Sequence, residues 1–262
     1  MSGPLKFSLD GEILDPGDAF LPLPDDGLLR GDGVFEVARA YGGKPFAMEL
    51  HLDRMESSAE AIDLRLERKL LDVETGRLLA ALDTPDCLLR IIQTRAGRRI
   101  ISAEDLPEHS ATISLATVTY SPSGILNGVK SLSYAANMHA TRIARAAGAG
   151  EALLVRPDGI VLESPTSSIF WATPEGILRT PALEAGVLDS ITRRKIIEQI
   201  EVEQGEFPLD DLLVATEAFL ASTTREVQPV ARIDNREFSQ AAGEKTRAAA
   251  AAFQRALAAE LS

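Results

Sequence analysis

The sequence holds one cysteine, few basic residues and no long apolar run, and each shortage excludes a class of protein or feature. Cys87 stands alone, so no disulfide forms within the chain, and its place beside Leu88 and Leu89 favours a buried structural thiol. The net charge of −12 at pH 7 and the pI near 4.8 argue against nucleic acid and anionic membranes as partners, because both bind a basic face. No apolar stretch approaches the roughly 18 residues that a membrane span needs.

The composition otherwise fits a folded, globular protein. Of the 262 residues, 45% are hydrophobic, and the mean hydropathy is +0.01, so the chain can bury a sizeable core. Residues 1–6 lack a positively charged segment followed by an apolar stretch, so we expect no signal peptide and a cytoplasmic location. We expect one compact protein with two lobes and no metal site.

Strand and helix patterns alternate in the N-terminal half. Leu52, Met55 and Ala59 recur at helical spacing and predict a helix with one buried face. Alternation around Asp10 and Gly11 predicts a hairpin. The predicted elements are a hairpin at 7–13, a strand at 33–41, helices at 48–64 and 70–82, and strands at 88–94 and 111–120.

A domain boundary is predicted at residues 120–126, because the stretch YSPSG at 120–124 alone has linker composition between two strongly periodic halves. This places a small N-terminal domain at 1–119 and a larger C-terminal domain at 127–262. The predicted C-terminal strands are 152–156, 160–163, 167–173, 218–222 and 227–233, and the predicted helices are 135–147, 191–203 and a segment from residue 239 onward.

Lysine is scarce, and one of the six lysines occupies an unusual place. Lys130 stands at a strand end among small residues, whereas the other five lie in turns, in the N-terminal hairpin or in helices. Glu163 lies in a turn between two apolar strands. This pair suits pyridoxal 5'-phosphate, which needs an amine for a Schiff base and an anion for its pyridine nitrogen. From spacing alone, a structural lysine at a strand edge stays an alternative.

Hydroxyl groups and one arginine supply a candidate phosphate site. Thr192 lies in the first turn of a predicted helix after Ser190, where backbone amides and a hydroxyl can bind phosphate. A second hydroxyl cluster at 222–224 stands at the mouth of another strand. Arg54, three residues after His51 on the first helix, offers a positive charge. Ordinary helix caps and a solvated charge on a helix face are the alternatives.

Taken together and in this order, these residues resemble the class IV pyridoxal-phosphate aminotransferases of fold type IV, a group that includes branched-chain aminotransferase, D-amino-acid aminotransferase and aminodeoxychorismate lyase. The resemblance covers nearly the whole chain, and its six segments are 30–36, 51–54, 130–132, 162–170, 191–193 and 223–230. It implies an α+β protein with a small N-terminal α/β sandwich-like domain and a larger C-terminal pseudo-barrel domain with flanking helices. It also implies a homodimer.

The resemblance implies a set of cofactor contacts. Lys130 would form the Schiff base with pyridoxal 5'-phosphate and would then move a proton at the substrate Cα. Glu163 would pair with the pyridine nitrogen, and Arg54 would bind the phosphate. The other implied contacts are the amides of Ile191 and Thr192, the hydroxyls of Thr192 and Thr223, and the Tyr134 ring. Many members of the family have glycine where this chain has Ser190, and glycine permits backbone angles that serine resists.

Arginines provide most of the candidate substrate contacts. Arg90 shares one face of its strand with Ile92 and Thr94, and a cation there costs free energy unless it is ion-paired or binds a ligand. Both alternatives stay open. The further candidates are Arg30, the loop arginines Arg95, Arg98 and Arg99, and the amides near Thr223 and Thr224, which the resemblance places at a substrate carboxylate.

The arginines favour a ping-pong transaminase that takes a D-amino acid and passes the amino group to a 2-oxo acid such as 2-oxoglutarate or pyruvate. This interpretation follows from the resemblance, because D-amino-acid aminotransferases bind carboxylates with arginines, whereas branched-chain enzymes use backbone amides and apolar walls. The alternatives are an aminodeoxychorismate lyase that releases pyruvate, a branched-chain L-amino-acid aminotransferase, and a protein that binds the cofactor without turnover.

Overall fold

The computed structural model describes residues 4–239 and 241–261, so residues 1–3, where no signal peptide is predicted, lie outside the described residues. The chain forms two compact units. The first unit contains residues 4–108, 129–134 and 260–261, and the second contains 109–128 and the described part of 135–259. Residues 120–126, predicted as a linker, lie inside the second unit, and the segment that carries Lys130 belongs to the first.

The first unit is built on six strands and three helices. The strands are β1 (Pro4–Leu9), β2 (Glu12–Leu14), β3 (Gly33–Tyr41), β4 (Lys44–Pro45), β5 (Cys87–Thr94) and β6 (Arg99–Glu104), and the helices are α1 (Asp26–Arg30), α2 (Met48–Glu60) and α3 (Arg68–Ala80). The strands form one antiparallel sheet in the order β2-β1-β6-β5-β3-β4. The predicted hairpin, both predicted helices and the strands at 33–41 and 88–94 are confirmed, with small shifts at their ends.

The two faces of this sheet differ because side chains alternate along each strand. One face packs against α2 and α3, and its core includes Leu52, Met55 and Leu71 together with Leu89 and Ile91. The opposite face carries the cross-strand pairs Phe35 with Ile92, Val37 with Arg90, and Arg90 with Ser102. The helices therefore cover one face, and the candidate Arg90 stands on the other.

The second unit contains an eight-stranded mixed sheet. Its strands are β7 (Ile113–Thr119), β8 (Glu151–Val155), β9 (Ser168–Ala172), β10 (Leu178–Pro181), β11 (Glu203–Gly205), β12 (Glu217–Ser222), β13 (Glu226–Ile233) and β14 (Arg236–Glu237), and its helices are α4 (Ala135–Ala146), α5 (Ile191–Ile197), α6 (Leu209–Leu213) and α7 (Glu244–Leu261). The strand order is β11-β10-β9-β12-β13-β7-β8, with β14 on β13. Consecutive residues of β8 pack in different apolar clusters: Leu153 is in the cluster that contains Trp171, and Leu154 is in the cluster that contains Ala144. The sheet thus has a core on each face.

The predicted α+β class is confirmed, since helices pack on both of these sheets and the second sheet forms a half-barrel. No helix within residues 4–239 and 241–261 is long and apolar enough to cross a membrane.

Three predictions for the C-terminal half differ from the structure. Within the predicted strand 160–163, Ile160 and Val161 form isolated bridges instead of a strand. Helix α5 ends at Ile197 rather than at residue 203, because residues 203–205 pair with β10 as β11. Helix α7 begins at Glu244 rather than near residue 239, because the Glu217 carboxylate accepts hydrogen bonds from the amides of Lys245 and Thr246 at 3.0 and 2.8 Å. The end of α5 and the start of α7 thus depend on partners distant in sequence.

Gly33 provides a test of how tightly the first unit is packed around β3. A Cβ on Gly33 would lie 2.6 Å from the Gln93 carbonyl oxygen and 2.7 Å from Cδ1 of Leu132. We expect Gly33→Ala to lower the free energy of unfolding in urea by about 1–3 kcal/mol, the usual cost of overpacking. Gly76→Ala is the matched control, because Gly76 is exposed in α3 with no atom within 4 Å of its Cβ position, and it should stabilise by up to about 1 kcal/mol. Equal stability of Gly33→Ala and the wild type would contradict the prediction.

Candidate active site

The backbone of Lys130 is fixed by hydrogen bonds to β3 and α2. The Lys130 amide donates to Oγ of Ser58 at 3.1 Å, and its carbonyl accepts from the Phe35 amide at 3.0 Å. Two residues later, the Leu132 amide donates to the Gly33 carbonyl at 2.9 Å. This pairing explains why the Lys130 segment belongs to the first unit although the residues before and after it belong to the second.

The side chain of Lys130 ends in an aromatic corner. Its Nζ lies 4.3 Å from the centroid of the Phe35 ring and 5.7 Å from that of Tyr134. The two rings pack edge to face, with centroids 5.3 Å apart and an interplanar angle of 84°. The rings therefore hold the amine at the face of the sheet opposite α2 and α3. Tyr134, predicted to lie beside the cofactor ring, lies beside this amine.

Arg54 is held by a buried carboxylate on β3. The Glu36 oxygens accept hydrogen bonds from Nε and Nη2 of Arg54, both at 2.7 Å. Nδ1 of His51 lies 2.8 Å from Oε2 of Glu36, and a carboxylate can only accept, so Nδ1 carries the hydrogen. The Glu36 side chain is fully buried, while that of Arg54 is 10% exposed. One edge of the guanidinium, formed by Nε and Nη2, is therefore fixed before any ligand binds.

The electrostatics of this cluster follow from burial and pairing. Burial alone would raise the pKa of Glu36, but the charge of Arg54 and the hydrogen bonds from His51 and Arg54 outweigh it and lower that pKa to about 2. Burial lowers the pKa of His51, against the effect of Glu36, and the charges of Arg54 and Lys130 add to this lowering. Glu36 is thus ionised and His51 neutral at pH 7, so the cluster has one positive and one negative charge.

No sequence pattern assigned a role to Glu36. The signal was present, because Glu36 falls at a helix-facing position of β3, between Val34 and Ala38, where an unpaired carboxylate would be costly. Spacing alone could not show that its partner lies on α2.

Glu163 is oriented by hydrogen bonds within the second unit. Its Oε1 accepts a hydrogen bond from the Leu188 amide at 2.9 Å, and its carbonyl accepts one from the Leu154 amide at 2.9 Å. Burial and, after it, the charge of Glu163 raise the pKa of Tyr120, so these two side chains are neighbours. The Glu163 carboxylate is therefore fixed by the Leu188 amide. Its neighbour Tyr120 comes from the stretch predicted as a linker.

The predicted phosphate residues Ile191 and Thr192 form the buried first turn of α5. Ser190 precedes them with φ −70°, an angle that serine adopts without strain, so the local path does not require the glycine of many relatives. Its Oγ accepts a hydrogen bond from the Arg193 amide at 3.4 Å. Ser190 is thus an ordinary helix cap, and Thr192 lies directly after it.

Thr223 and Thr224 lie in the turn that joins β12 to β13. Oγ1 of Thr224 lies 3.4 Å from Oγ of Ser222, which also accepts from the Arg225 amide at 3.3 Å. Arg225 was not among the predicted residues. Its guanidinium lies 3.6 Å from the Glu151 carboxylate, and burial lowers its pKa. Hydrogen bonds within the turn therefore hold it, and Arg225, whose side chain is 10% exposed, connects it to Glu151.

The candidate substrate arginines are all ion-paired within the first unit. Arg90 pairs with Glu104 at 2.8 Å, Arg95 with Asp32 at 3.1 Å, Arg98 with Asp10 at 2.7 Å, Arg99 with Glu74 at 2.9 Å, and Arg30 with Asp26. Of the two alternatives left open for Arg90, the structure contains the ion pair. Arg95 also donates to the carbonyls of Ile62 and Asp63, both at 2.6 Å. The predicted basic loop is thus neutralised by nearby acids.

Comparison with known proteins gives one consistent family. The amino-transferase class IV profile matches residues 33–233. A Methanocaldococcus jannaschii protein named "Putative branched-chain-amino-acid aminotransferase" is 33% identical over 88% of this chain and 89% of its own. The aminodeoxychorismate lyase of Bacillus subtilis is 29% identical (92% and 90%), and the D-alanine aminotransferase of Listeria monocytogenes is 30% identical (88% and 88%). A pyridoxal-phosphate-bound hypothetical aminotransferase from Mycobacterium tuberculosis superposes with a TM-score of 0.88 at 26% identity, over 97% and 99%.

The chain belongs to the class IV aminotransferases and is a pyridoxal-phosphate-dependent enzyme of fold type IV. The donor set fits this cofactor. Lys130 provides an amine, and its backbone amide is held by Ser58. Glu36 fixes the guanidinium of Arg54. Glu163 provides a carboxylate fixed by the Leu188 amide.

The buried pair of Glu36 and Arg54 predicts a large stability loss when its charge is removed. We expect Glu36→Gln to lower the free energy of unfolding at pH 7 by about 3–5 kcal/mol, because Arg54 is left buried without its counter-ion. The folded pKa of Glu36, about 2, lies below its ordinary 4.5. The stabilisation is therefore present above pH 4.5 and is lost as the pH falls toward 2. Urea unfolding of both proteins at pH 7 and in acid measures the difference, which should shrink in acid.

Glu49→Gln is the matched control for this prediction. Glu49 pairs with Arg68 at 2.7 Å, but its side chain is 78% exposed. Its removal should change stability by less than about 1 kcal/mol. A Glu36→Gln protein as stable as this control would contradict the assigned role of Glu36.

Proposed function

We propose that this enzyme is a transaminase that moves an amino group from an amino acid, with D-amino acids as the leading donors, to a 2-oxo acid such as 2-oxoglutarate or pyruvate. The observation that carries the proposal is the position of the Lys130 amine, 4.3 Å from the centroid of the Phe35 ring on a segment bonded to β3 and α2. The same two elements fix Arg54 through Glu36. The first unit therefore offers both an amine and an oriented phosphate-binding cation.

Each predicted site residue has a distinct task in this proposal. Pyridoxal 5'-phosphate, when bound, supplies the electron sink that makes the substrate Cα proton acidic. Lys130 would hold the cofactor through its amine and would move the proton at the substrate Cα. Arg54 would bind the phosphate, and Glu163 would keep the pyridine nitrogen protonated. Ile191, Thr192 and Thr223 are proposed as further phosphate contacts, Tyr134 as a neighbour of the cofactor ring, and Arg30, Arg90, Arg98 and Thr224 as substrate contacts.

The preference for D-amino acids has partial support. The similarity to the Listeria monocytogenes D-alanine aminotransferase favours it. The arginines add less, because Arg30, Arg90 and Arg98 each have a carboxylate partner. A paired arginine can still bind a substrate carboxylate through its remaining hydrogens, but it no longer offers a net positive charge.

Two other reactions have support from named relatives. The similarity to the Methanocaldococcus jannaschii protein favours transfer from branched-chain L-amino acids. The similarity to the Bacillus subtilis enzyme favours release of pyruvate from aminodeoxychorismate. All three reactions need an amine and an electron sink, so the substrate pocket and not Lys130 decides between them.

A homodimer is also proposed, because the resemblance implies a pocket that is completed across a subunit interface. The cytoplasmic location stays a prediction.

The covalent role of Lys130 has a test that does not depend on turnover. Borohydride reduction of the holoenzyme makes the lysine–cofactor bond permanent, so mass spectrometry of a digest should find the cofactor on the peptide that contains Lys130. In Lys130→Ala we expect the label on that peptide to disappear. Lys69→Ala, which changes an exposed lysine of α3, should keep it. Stoichiometric labelling of another lysine in the wild type would contradict the assignment.

The donor is tested by single half-reactions of the holoenzyme, followed through the cofactor absorbance. D-alanine, D-glutamate, L-leucine and L-glutamate are added separately, and we expect the D-amino acids to react fastest. Rapid reaction with L-leucine and none with the D-amino acids would support the branched-chain alternative and overturn the D preference. Inertness to all four amino acids, together with pyruvate release from aminodeoxychorismate, would support the lyase.

A further inference from the structure

Arg90 and Glu104 lie on the face of the six-stranded sheet that also carries Phe35. Strand pairing makes Phe35 the diagonal neighbour of Arg90, at about 7–8 Å by the usual spacing of antiparallel strands. The Lys130 amine lies over the Phe35 ring. Arg90 is therefore one side chain removed from the amine proposed to carry out the chemistry, and Glu104 lies beyond Arg90 on β6.

The pair has a bidentate geometry. Nε of Arg90 donates to Oε1 of Glu104 at 2.8 Å, and Nη2 donates to Oε2 at 3.1 Å. The Ser102 hydroxyl donates to Oε1 at 2.7 Å. Burial would raise the pKa of Glu104, but the hydrogen bonds from Arg90 and Ser102 lower it overall, so the carboxylate stays ionised at pH 7. Glu104 thus occupies the forked edge with which an arginine binds a carboxylate most strongly.

The pair remains within reach of a small molecule. The side chain of Arg90 is 38% exposed and that of Glu104 is 23% exposed. An incoming ligand meets a positive and a negative charge that nearly cancel. A second carboxylate on the substrate gains little from Arg90, because the Glu104 carboxylate bonded to the guanidinium repels it. An uncharged side chain meets no such repulsion.

We propose that Glu104 is a specificity-determining residue, which neutralises Arg90 beside the Lys130 amine and so makes the enzyme prefer substrates with one carboxylate and an uncharged side chain over dicarboxylic ones. The inference rests on the proposed function, since it describes the substrate pocket of the same reaction. It favours pyruvate over 2-oxoglutarate as the acceptor.

The first experiment measures binding without turnover. Isothermal titration of the holoenzyme compares glutarate with its monoamide, which differ in one negative charge and little in shape. We expect Glu104→Gln to raise the affinity for glutarate by roughly tenfold or more, the effect of unmasking one cation at short range in an effective dielectric of about 20. The affinity for the monoamide should stay the same. An unchanged glutarate affinity, or an equal gain for both ligands, would overturn the proposal.

Two further variants show whether the gain in glutarate affinity depends on Arg90. In the double variant Arg90→Met with Glu104→Gln, the gain for glutarate should vanish, because no unmasked cation remains. Glu203→Gln is the matched control, since Glu203 pairs with Nε of Arg179 at the same 2.8 Å in the second unit, and it should leave both affinities unchanged. A gain that persists in the double variant would count against the proposal.

Steady-state kinetics provide the second measurement. In Glu104→Gln, kcat/KM for 2-oxoglutarate should rise relative to kcat/KM for pyruvate, and a fall in that ratio would contradict the inference. A wild-type enzyme with no transaminase turnover on any amino acid would refute the proposed function. The glutarate titration would still decide the role of Glu104, so the two failures are distinguishable.

Discussion

The buried Glu36 carboxylate binds Arg54 and His51 of α2 at once, and the arrangement of the first unit's site depends on it. A carboxylate with no exposed surface is stable only if its charge is compensated and its oxygens accept hydrogen bonds, and these two side chains meet both conditions. The same strand holds Phe35, whose side chain faces the other way. β3 therefore orients the guanidinium on one face of the sheet and the Lys130 amine on the other.

Lys130 shows how tertiary pairing can override chain connectivity. The residues that flank 129–134 belong to the second unit, yet this segment is bonded to β3 and to Ser58 of α2. Ser58 stands one helical turn after Arg54, so α2 helps to position both the amine and the cation. A small shift of α2 or β3 would move both groups, which is why tight packing at Gly33 bears on the site as well as on the fold.

Local patterns predicted the elements that bury a periodic face. Helix α2 and strand β5 were predicted because Leu52, Met55 and Leu89 repeat at the spacing of one buried side. Short elements were missed. β11 carries no apolar period of its own, and it exists because β10 offers backbone groups to pair with. α6 has leucines at helical spacing but is only five residues long, too short for the pattern to be decisive. The start of α7 was misplaced because its cap, Glu217, comes from a strand far away in sequence.

The sequence by itself determined the cofactor chemistry, because residue types such as one well-placed lysine, an acidic partner and hydroxyl-rich turns recur in the order of a known family. It also determined the α+β class through periodicity. Only the tertiary structure decided which charges are available. Arg90 and Arg98 proved to have carboxylate partners on other segments, and Glu36 proved to hold Arg54, because these ion pairs join segments whose register no local pattern encodes. The pair of Arg30 with Asp26 is local, since both lie in α1.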